Sequence, residues 1–239
     1  MSDTKLKFLL MRKKGMTQIF RSDGTVVPVT VLEAGPCTVT GLREQGRDGY
    51  VAVQLGLDPA RPKHVKKPQA KAAEKAGVKP HRVLREFRVD DASPWAMGQE
   101  LKADLFEVGD LVDIAGNSKG RGFAGTIKAH GFQRGPEAHG SMNVRAPGSI
   151  GCSAYPGRVW KGTRMAKHLG AARAMVKNVV IEAVLPELGV VLVRGGVPGP
   201  PSGLLEVATA NSANPRARTR AAAAAAAHAA SQPAAETEE

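Results

Sequence analysis

Tyr50-Val51-Ala52-Val53-Gln54-Leu55-Gly56-Leu57 sets a valine or leucine at every second position, with Tyr50, Ala52, Gln54 and Gly56 between them. A repeat of two is the spacing at which an extended chain turns alternate side chains to one face, so the stretch reads as a half-buried β-strand. Residues 25–32 are β-branched and apolar as well, with Pro28 marking an edge position or a bulge. Ser22-Asp23-Gly24, Ala34-Gly35-Pro36 and Arg47-Asp48-Gly49 supply turn chemistry between such runs. The first 57 residues therefore read as a β-meander or a piece of a Greek key. Strand signals return at 83–89, 111–115, 176–185, 190–194 and 204–209, with Pro186-Glu187-Leu188-Gly189 as a turn. The chain is mainly β.

Two stretches depart from that pattern without forming a core. Residues 61–82 are crowded with Lys, Arg and His and hold a single acid, Glu74. Pro68 suits the first turn of a helix, the residues up to Ala76 are good helix formers, and Gly77 and Pro80 supply the stop. No apolar stripe accompanies them, so a short helix on a solvated or RNA-facing excursion is expected. Beyond residue 210 come Arg216, Arg218 and Arg220, seven consecutive alanines and an acidic end. An alanine run this short without an apolar face is marginal in water, and residues 211–239 read as disordered.

The whole chain has 239 residues, 42% of them hydrophobic, which is enough for a genuine core. Its 27 Gly and 16 Pro make up about 18% of the chain, against about 12% in an average protein, and point to turns and extended loops. Lys and Arg number 34 and Asp and Glu 22, a formal charge of +12. Such an excess repels itself in a compact protein and points to a polyanionic partner. Cys37 and Cys152 lie far apart at no metal-ligand spacing, which fits a reducing compartment. No apolar run approaches the roughly 18 residues of a membrane span. Phe8-Leu9-Leu10-Met11, followed by Arg12-Lys13-Lys14, is also shorter than the core of about 7–15 residues in a signal peptide. A soluble, intracellular protein without a membrane partner is expected.

The charge is concentrated. Residues 116–170 hold twelve Gly, nine Lys or Arg and one acid, Glu137, so that 55 residues carry +8 of the total. Their apolar residues follow neither a period of 2 nor one of 3.6. Such a stretch cannot bury enough surface to offset an ordering cost of roughly 1–2 kcal/mol per residue. Yet Phe123, Phe132, Tyr155 and Trp160 are interleaved with the cations. This is the composition of an extended arm that becomes ordered against something else. The cations are Lys119, Arg121, Lys128, Arg134, Arg145, Arg158, Lys161, Arg164 and Lys167. Guanidinium forks bind phosphates bidentately, glycine lets backbone approach closely, and aromatics stack on splayed bases. The mixture suits irregular RNA better than the major groove of DNA, for which no recognition helix is visible.

Competing chemistries find little support. Gly120-Arg121-Gly122-Phe123-Ala124-Gly125 matches the glycine pattern of a dinucleotide loop, but Gly131 and Gly135 interrupt the stretch after it and position 145 is Arg, not an acid. Gly157-Arg158-Val159-Trp160-Lys161-Gly162-Thr163 has the glycine spacing of a phosphate-binding P-loop without its lysine. His130, His139, His168 and Cys152 fit no zinc module, and no carboxylate but Glu137 stands near to orient a base. No catalytic residue, metal ligand or cofactor is assigned. Two alternatives remain: a nucleotide-dependent enzyme using residues 120–125, and a basic nucleic-acid-binding regulator.

Longer motifs then become recognisable. Ala146-Pro147-Gly148-Ser149-Ile150-Gly151, Pro156-Gly157-Arg158-Val159-Trp160-Lys161-Gly162 and Arg164-Met165-Ala166 closely resemble the arm of the bacterial large-subunit ribosomal protein number three, the universal L-three family. Lys119-Gly120-Arg121-Gly122-Phe123-Ala124-Gly125, His139-Gly140-Ser141, Lys14-Gly15-Met16-Thr17-Gln18-Ile19-Phe20, Pro28-Val29-Thr30-Val31 and Gly195-Gly196-Val197-Pro198-Gly199-Pro200 are similar to the same family. The likeness runs in register from about residue 8 to 208.

The resemblance implies a six-stranded translation-factor-type β-barrel with a long, glycine-rich basic extension inserted between strands and a short helical excursion. With the reading of the residues it divides the chain into 1–115 as the first part of the β-barrel domain, with the basic, partly helical excursion at 61–82, then 116–170 as the extended rRNA-binding arm, 171–210 as the remainder of the β-barrel, and 211–239 as a disordered Ala-rich tail. It also implies a non-enzymatic constituent of the cytoplasmic large subunit. Such a protein is a primary binder of 23S rRNA near its 3′ end, helps nucleate assembly and sends its arm towards the peptidyl transferase centre. Ribosomal proteins fourteen and nineteen would be neighbours, and no homo-oligomer is expected. Arg145, Arg158, Lys161 and Arg164 would pin phosphates, Trp160 and Tyr155 would wedge or stack within the RNA, and Pro147 and Pro156 would stiffen turns. Lys13, Lys14, His139 and His168 join the remaining arm cations as expected rRNA-binding residues. This sequence departs from the family in two places. Cys152 stands where some members carry a methylated Gln, and the tail past Ala210 has no usual counterpart.

Overall fold

The computed structural model describes residues 6–21, 23–212 and 214–231. In chain order the elements are β1 (Phe8–Phe20), β2 (Val26–Glu33), β3 (Cys37–Arg43), α1 (Gln45–Asp48), β4 (Ala52–Pro59), α2 (Lys67–Lys75), β5 (His81–Arg88), β6 (Glu100–Leu101) and β7 (Leu111–Asn117). They continue with β8 (Phe123–Ala124), α3 (Thr126–His130), β9 (Lys167–His168), β10 (Arg173–Leu185), β11 (Val190–Arg194), β12 (Leu204–Thr209) and α4 (Pro215–Ser231). The described residues fall into two units, one within Met1–Asn117 and Ala174–Glu239, the other Ser118–Arg173.

Six strands close a barrel in the order β1-β12-β7-β10-β11-β2, as the family resemblance implies. Closure depends on β1 serving two neighbours in turn. Its residues 8–12 pair with β12, Leu9 lying opposite Val207 and Met11 opposite Leu205. From Arg12 onward it pairs with β2, and the register slips between Lys13 and Gly15. A strand that changes partner at a bulge is how a short sheet bends far enough to meet itself.

Phe8, Leu9, Leu10 and Met11 are all fully buried. Consecutive strand residues point to opposite faces, so burial of four in a row requires cover on both sides. Leu9 and Met11 share one face with Val207 and Leu205. On the other face Phe8 stacks on Phe87 at 4.7 Å between ring centroids and lies 4.9 Å from Trp95. That second cover is a four-stranded sheet of order β5-β4-β3-β6. The sequence reading assigns residues 1–115 to a β-barrel domain, and within that unit β3 to β6 form a sheet of their own beside the barrel strands. Alternation reveals that a strand has a buried face but not which sheet covers it.

In β4 the residues Val53, Leu55 and Leu57 are buried, as their spacing requires, but Ala52 and Gly56 are buried too. A Cβ on Gly56 would lie 2.5 Å from the His81 ring and 2.8 Å from Cγ2 of Thr40. The face expected to be solvated is therefore covered by its neighbours, and glycine makes that approach possible. Cys37 donates its thiol hydrogen to the carbonyl of Leu10 at 3.4 Å, and burial pushes the thiol up to about 11. In that state it is a small hydrophobe and no nucleophile at neutral pH. α2 forms where Pro68 and Gly77 bracket the helix formers, Pro68 in the first turn and Gly77 at φ +66° beyond the end.

The tail also differs from expectation. Residues 232–239 lie outside the described residues, but Pro215–Ser231, read as disordered, is the helix α4. Alanine is the strongest helix former, and the side-chain oxygen of Asn214 caps the start by accepting the Arg216 N–H at 3.1 Å. Ala217 and Ala224 are buried. At Gly109, where φ is +91°, a Cβ would stand 3.1 Å from both the Ala221 carbonyl oxygen and the Ala225 methyl. Ala217, Ala221, Ala224 and Ala225 follow the helical spacing of one face. The stripe is real but made of methyl groups, which composition alone does not distinguish from a featureless alanine run. Among the described residues no helix is long and apolar enough to cross a membrane.

Candidate nucleic-acid interface

Ser118–Arg173 interrupts the barrel sequence between β7 and β10 and has almost no interior. Only Ala124 and Thr126 are buried in it. Its two ends run beside each other as a narrow ladder: Ser118 N–H donates to the Ala172 carbonyl at 2.9 Å, Arg121 N–H to Leu169 at 2.8 Å, and Leu169 N–H to Gly122 at 2.9 Å. β8 and β9 continue the ladder, Phe123 facing His168. Gly170 makes the close approach possible. Its φ is +76°, and a Cβ there would fall 2.2 Å from the Lys119 carbonyl oxygen, so both conformation and space demand glycine. Farther along, Gly135 N–H donates to the Val144 carbonyl at 3.0 Å. A Cβ on Gly135 would meet the Asn143 oxygen at 2.0 Å.

These backbone contacts display side chains to solvent instead of hiding them. Lys119, Arg121, Lys128, Arg145, Arg158, Lys161, Arg164 and Lys167 are exposed, as are His139 and His168. Arg134 is exposed but pairs with Glu137, the one acid available to it. Met142 is 97% exposed, Tyr155 85% and Phe123 76%. The Arg158 guanidinium lies over the Trp160 ring, 4.6 Å from its centroid. That stacking steers a planar fork without neutralising it. Thr163 donates its hydroxyl to the Trp160 carbonyl at 2.8 Å, so residues 160–163 close as a turn.

Gly120 to Gly125 do not open a dinucleotide site. Phe123 and Ala124 are taken up by β8, and the helix after Gly125 is α3, five residues long, ended by Gly131 in the left-handed conformation. A pyrophosphate loop needs a long helix whose N-terminus faces the anion, and none is present here. His130 directs Nε2 at the Met165 carbonyl, 3.0 Å away.

Two expected RNA-binding residues lie in the barrel unit and are differently engaged. Lys13 is buried, its ammonium donating to the carbonyls of Val197 at 3.0 Å and Gly199 at 3.2 Å. Its charge is met by the backbone carbonyls of the 195–200 loop, unlike the exposed cations of residues 116–170. Lys14 is exposed and pairs with Glu33 at 2.9 Å. The basic run Arg12-Lys13-Lys14 looks uniform in sequence, but strand alternation turns Lys13 inward and its neighbours outward. Lys177 and Arg194 escaped the sequence reading because each sits alone among apolar strand residues. Only the closing of the barrel brings them near Arg220.

Residues 86–183 match the family described as ribosomal protein L3. The chain is 50% identical over 204 residues to the large ribosomal subunit protein uL3 of Desulforapulum autotrophicum, covering 85% of this chain and 99% of that protein. It is 50% identical over 206 residues to uL3 of Acidothermus cellulolyticus, covering 86% and 93%. It is 45% identical over 202 residues to uL3 of Brachyspira pilosicoli, covering 84% and 93%.

Proposed function

Because this chain belongs to the ribosomal protein L3 family, we propose that Ser118–Arg173 is the part that binds 23S rRNA and that it acquires its working shape on that RNA. Membership makes the protein a structural constituent of the large ribosomal subunit in the cytoplasm, with rRNA and neighbouring ribosomal proteins as partners, and not an enzyme. The finer reading rests on one observation: residues 116–170 set nine cations against Glu137 while burying only Ala124 and Thr126. A segment with so little interior gains little from folding alone, and phosphates offset the repulsion among its charges. Arg145, Arg158, Lys161 and Arg164 contact phosphates, while Tyr155 and Trp160 stack on or wedge between bases. Family membership supports a site near the 3′ end of 23S rRNA, an insertion directed towards the peptidyl transferase centre, a part in nucleating assembly, and ribosomal proteins fourteen and nineteen as neighbours.

Counterion release provides the test. The slope of log K against log salt scales as about −0.7 to −0.9 per neutralised phosphate. Arg158→Ala/Lys161→Ala, measured on a large-subunit rRNA transcript, is expected to flatten that slope by about 1.4 to 1.8. An unchanged slope removes both residues from the interface. Location is checked separately by crosslinking in intact cells and mapping the attached RNA. Crosslinks from residues 116–170 are expected in 23S rRNA towards its 3′ end, and crosslinks confined to other RNA overturn that assignment.

A further inference from the structure

A cleft of about 400 Å³ opens in the barrel unit between α4, β10 and the turn after β11. Lys177 and Asn178 of β10, Arg194 at the end of β11, Gly195, Gly196 and Arg220 of α4 are among the residues lining it. We propose that this cleft, with Arg220 and Lys177 as its cations, is a second binding site for the RNA phosphate backbone, built by the C-terminal helix. The inference rests on the ribosomal reading above and goes beyond it, since α4 lies past residue 208, where the likeness to the family ends.

Four observations carry it. The cleft brings together three cations from three separate elements. Its nearby carboxylates are already engaged: both Glu182 oxygens accept from Arg21 at 2.9 and 2.7 Å, with Arg194 at 3.7 Å, and Asp113 accepts the Asn178 N–H at 2.9 Å. Among the described residues Lys177 and Arg220 have no carboxylate partner. The floor is open, because a Cβ on Gly195 or Gly196 would meet nothing within 4 Å, and a phosphate can approach the backbone there. Finally, α4 is docked and not loose, with Asn214 capping it, Asn214 N–H directed at the Asn178 side-chain oxygen at 3.4 Å, and Ala217 and Ala224 buried. Exposed Arg216 and Arg218 continue the positive charge along a helix that has no acid. Methyl-sized side chains give α4 no bulky apolar face for a membrane, whereas the guanidinium forks of Arg216 and Arg220, four positions apart on one side of the helix, suit a polymer of repeated anionic charge.

The experiment uses the full-length protein and a large-subunit rRNA transcript, with affinity measured across a salt series. Lys177→Ala/Arg220→Ala is expected to flatten the slope by about 1.4 to 1.8, so that raising salt from about 50 to 200 mM costs roughly tenfold less affinity than in the parent. Lys177→Arg/Arg220→Lys is expected to keep the parental slope. Combined with Arg158→Ala/Lys161→Ala the two losses are expected to add. Circular dichroism checks that the helix persists. If it does not, Lys177→Gln/Arg220→Gln, which removes both charges but keeps long side chains, takes its place and is expected to flatten the slope in the same direction. An unchanged slope in a folded cleft variant, while the insertion variant still flattens it, overturns this inference alone. Lost binding to poly-glutamate with an unchanged RNA slope assigns the cleft to an acidic polypeptide and overturns it as well. A parent protein that shows no salt-dependent RNA binding brings down the ribosomal reading beneath both.

Discussion

Glu182→Ala is expected to lower stability by about 3–5 kcal/mol, among the largest effects a single substitution in this chain should have. Glu182 sits where the β10–β11 register slips, between Ile181 and Ala183, and its carboxylate is buried. Its side chain is 2% exposed and that of Arg21 is 11% exposed. These exposures decide which rule applies. An exposed ion pair contributes about 0.2–1 kcal/mol, but removing one partner of a buried pair leaves a charge with neither water nor a counter-ion. Arg21 is poorly placed to tolerate the loss, since its Nε is already buried without a hydrogen-bond partner. The pair itself need not be stabilising relative to hydrocarbon. Arg21→Met/Glu182→Leu is therefore expected to recover most of the loss, and urea unfolding of the two variants separates charge isolation from lost packing. A single-variant loss under about 1 kcal/mol would mean that water reaches the Arg21 guanidinium after all.

Phe8→Ala is the second large effect, at about 3–5 kcal/mol, the range for deleting a buried aromatic. Phe8 is fully buried and belongs to the core cluster shared by the barrel and the four-stranded sheet. Its ring meets Phe87 and Trp95 across the sheet boundary. The cavity left behind would be walled by two sheets, each held by its own hydrogen-bonded ladder, and rigid walls collapse poorly. Phe8→Leu, which keeps most of the volume, is expected to cost clearly less. Equal losses for the two substitutions would exceed what aromatic stacking supplies, about 0.5–1.5 kcal/mol beyond burial, and would overturn the cavity-volume account of this site.

Much of this architecture is legible in sequence where a local rule acts alone. The strands at 190–194 and 204–209 appear as β11 and β12 because apolar, β-branched runs between turns leave few other solutions. Pro68 and Gly77 mark α2 for equally local reasons. What escapes is set by partners distant in sequence. The alternation around Val53 and Leu55 cannot say that its cover is β1 and not a barrel interior. Lys13 reads as one of three neighbouring cations until the 195–200 loop is placed over it. The alanines of α4 show no hydrophobic stripe until Gly109 lets the backbone come close enough for methyl groups to act as one. In the candidate interface, the cations and aromatics of residues 116–170 are plain in composition. The pairing of Arg158 with Trp160 and of Arg134 with Glu137 needed the fold.

The pairing of Leu9 with Val207 has a consequence for biosynthesis. These two residues emerge nearly two hundred positions apart, which at about 5–20 residues per second separates them by roughly 10–40 s. Throughout that interval the first strand waits with one edge unsatisfied, and the cylinder cannot seal until residues 204–209 have been made. The cationic insertion is therefore made before the body that carries it has closed.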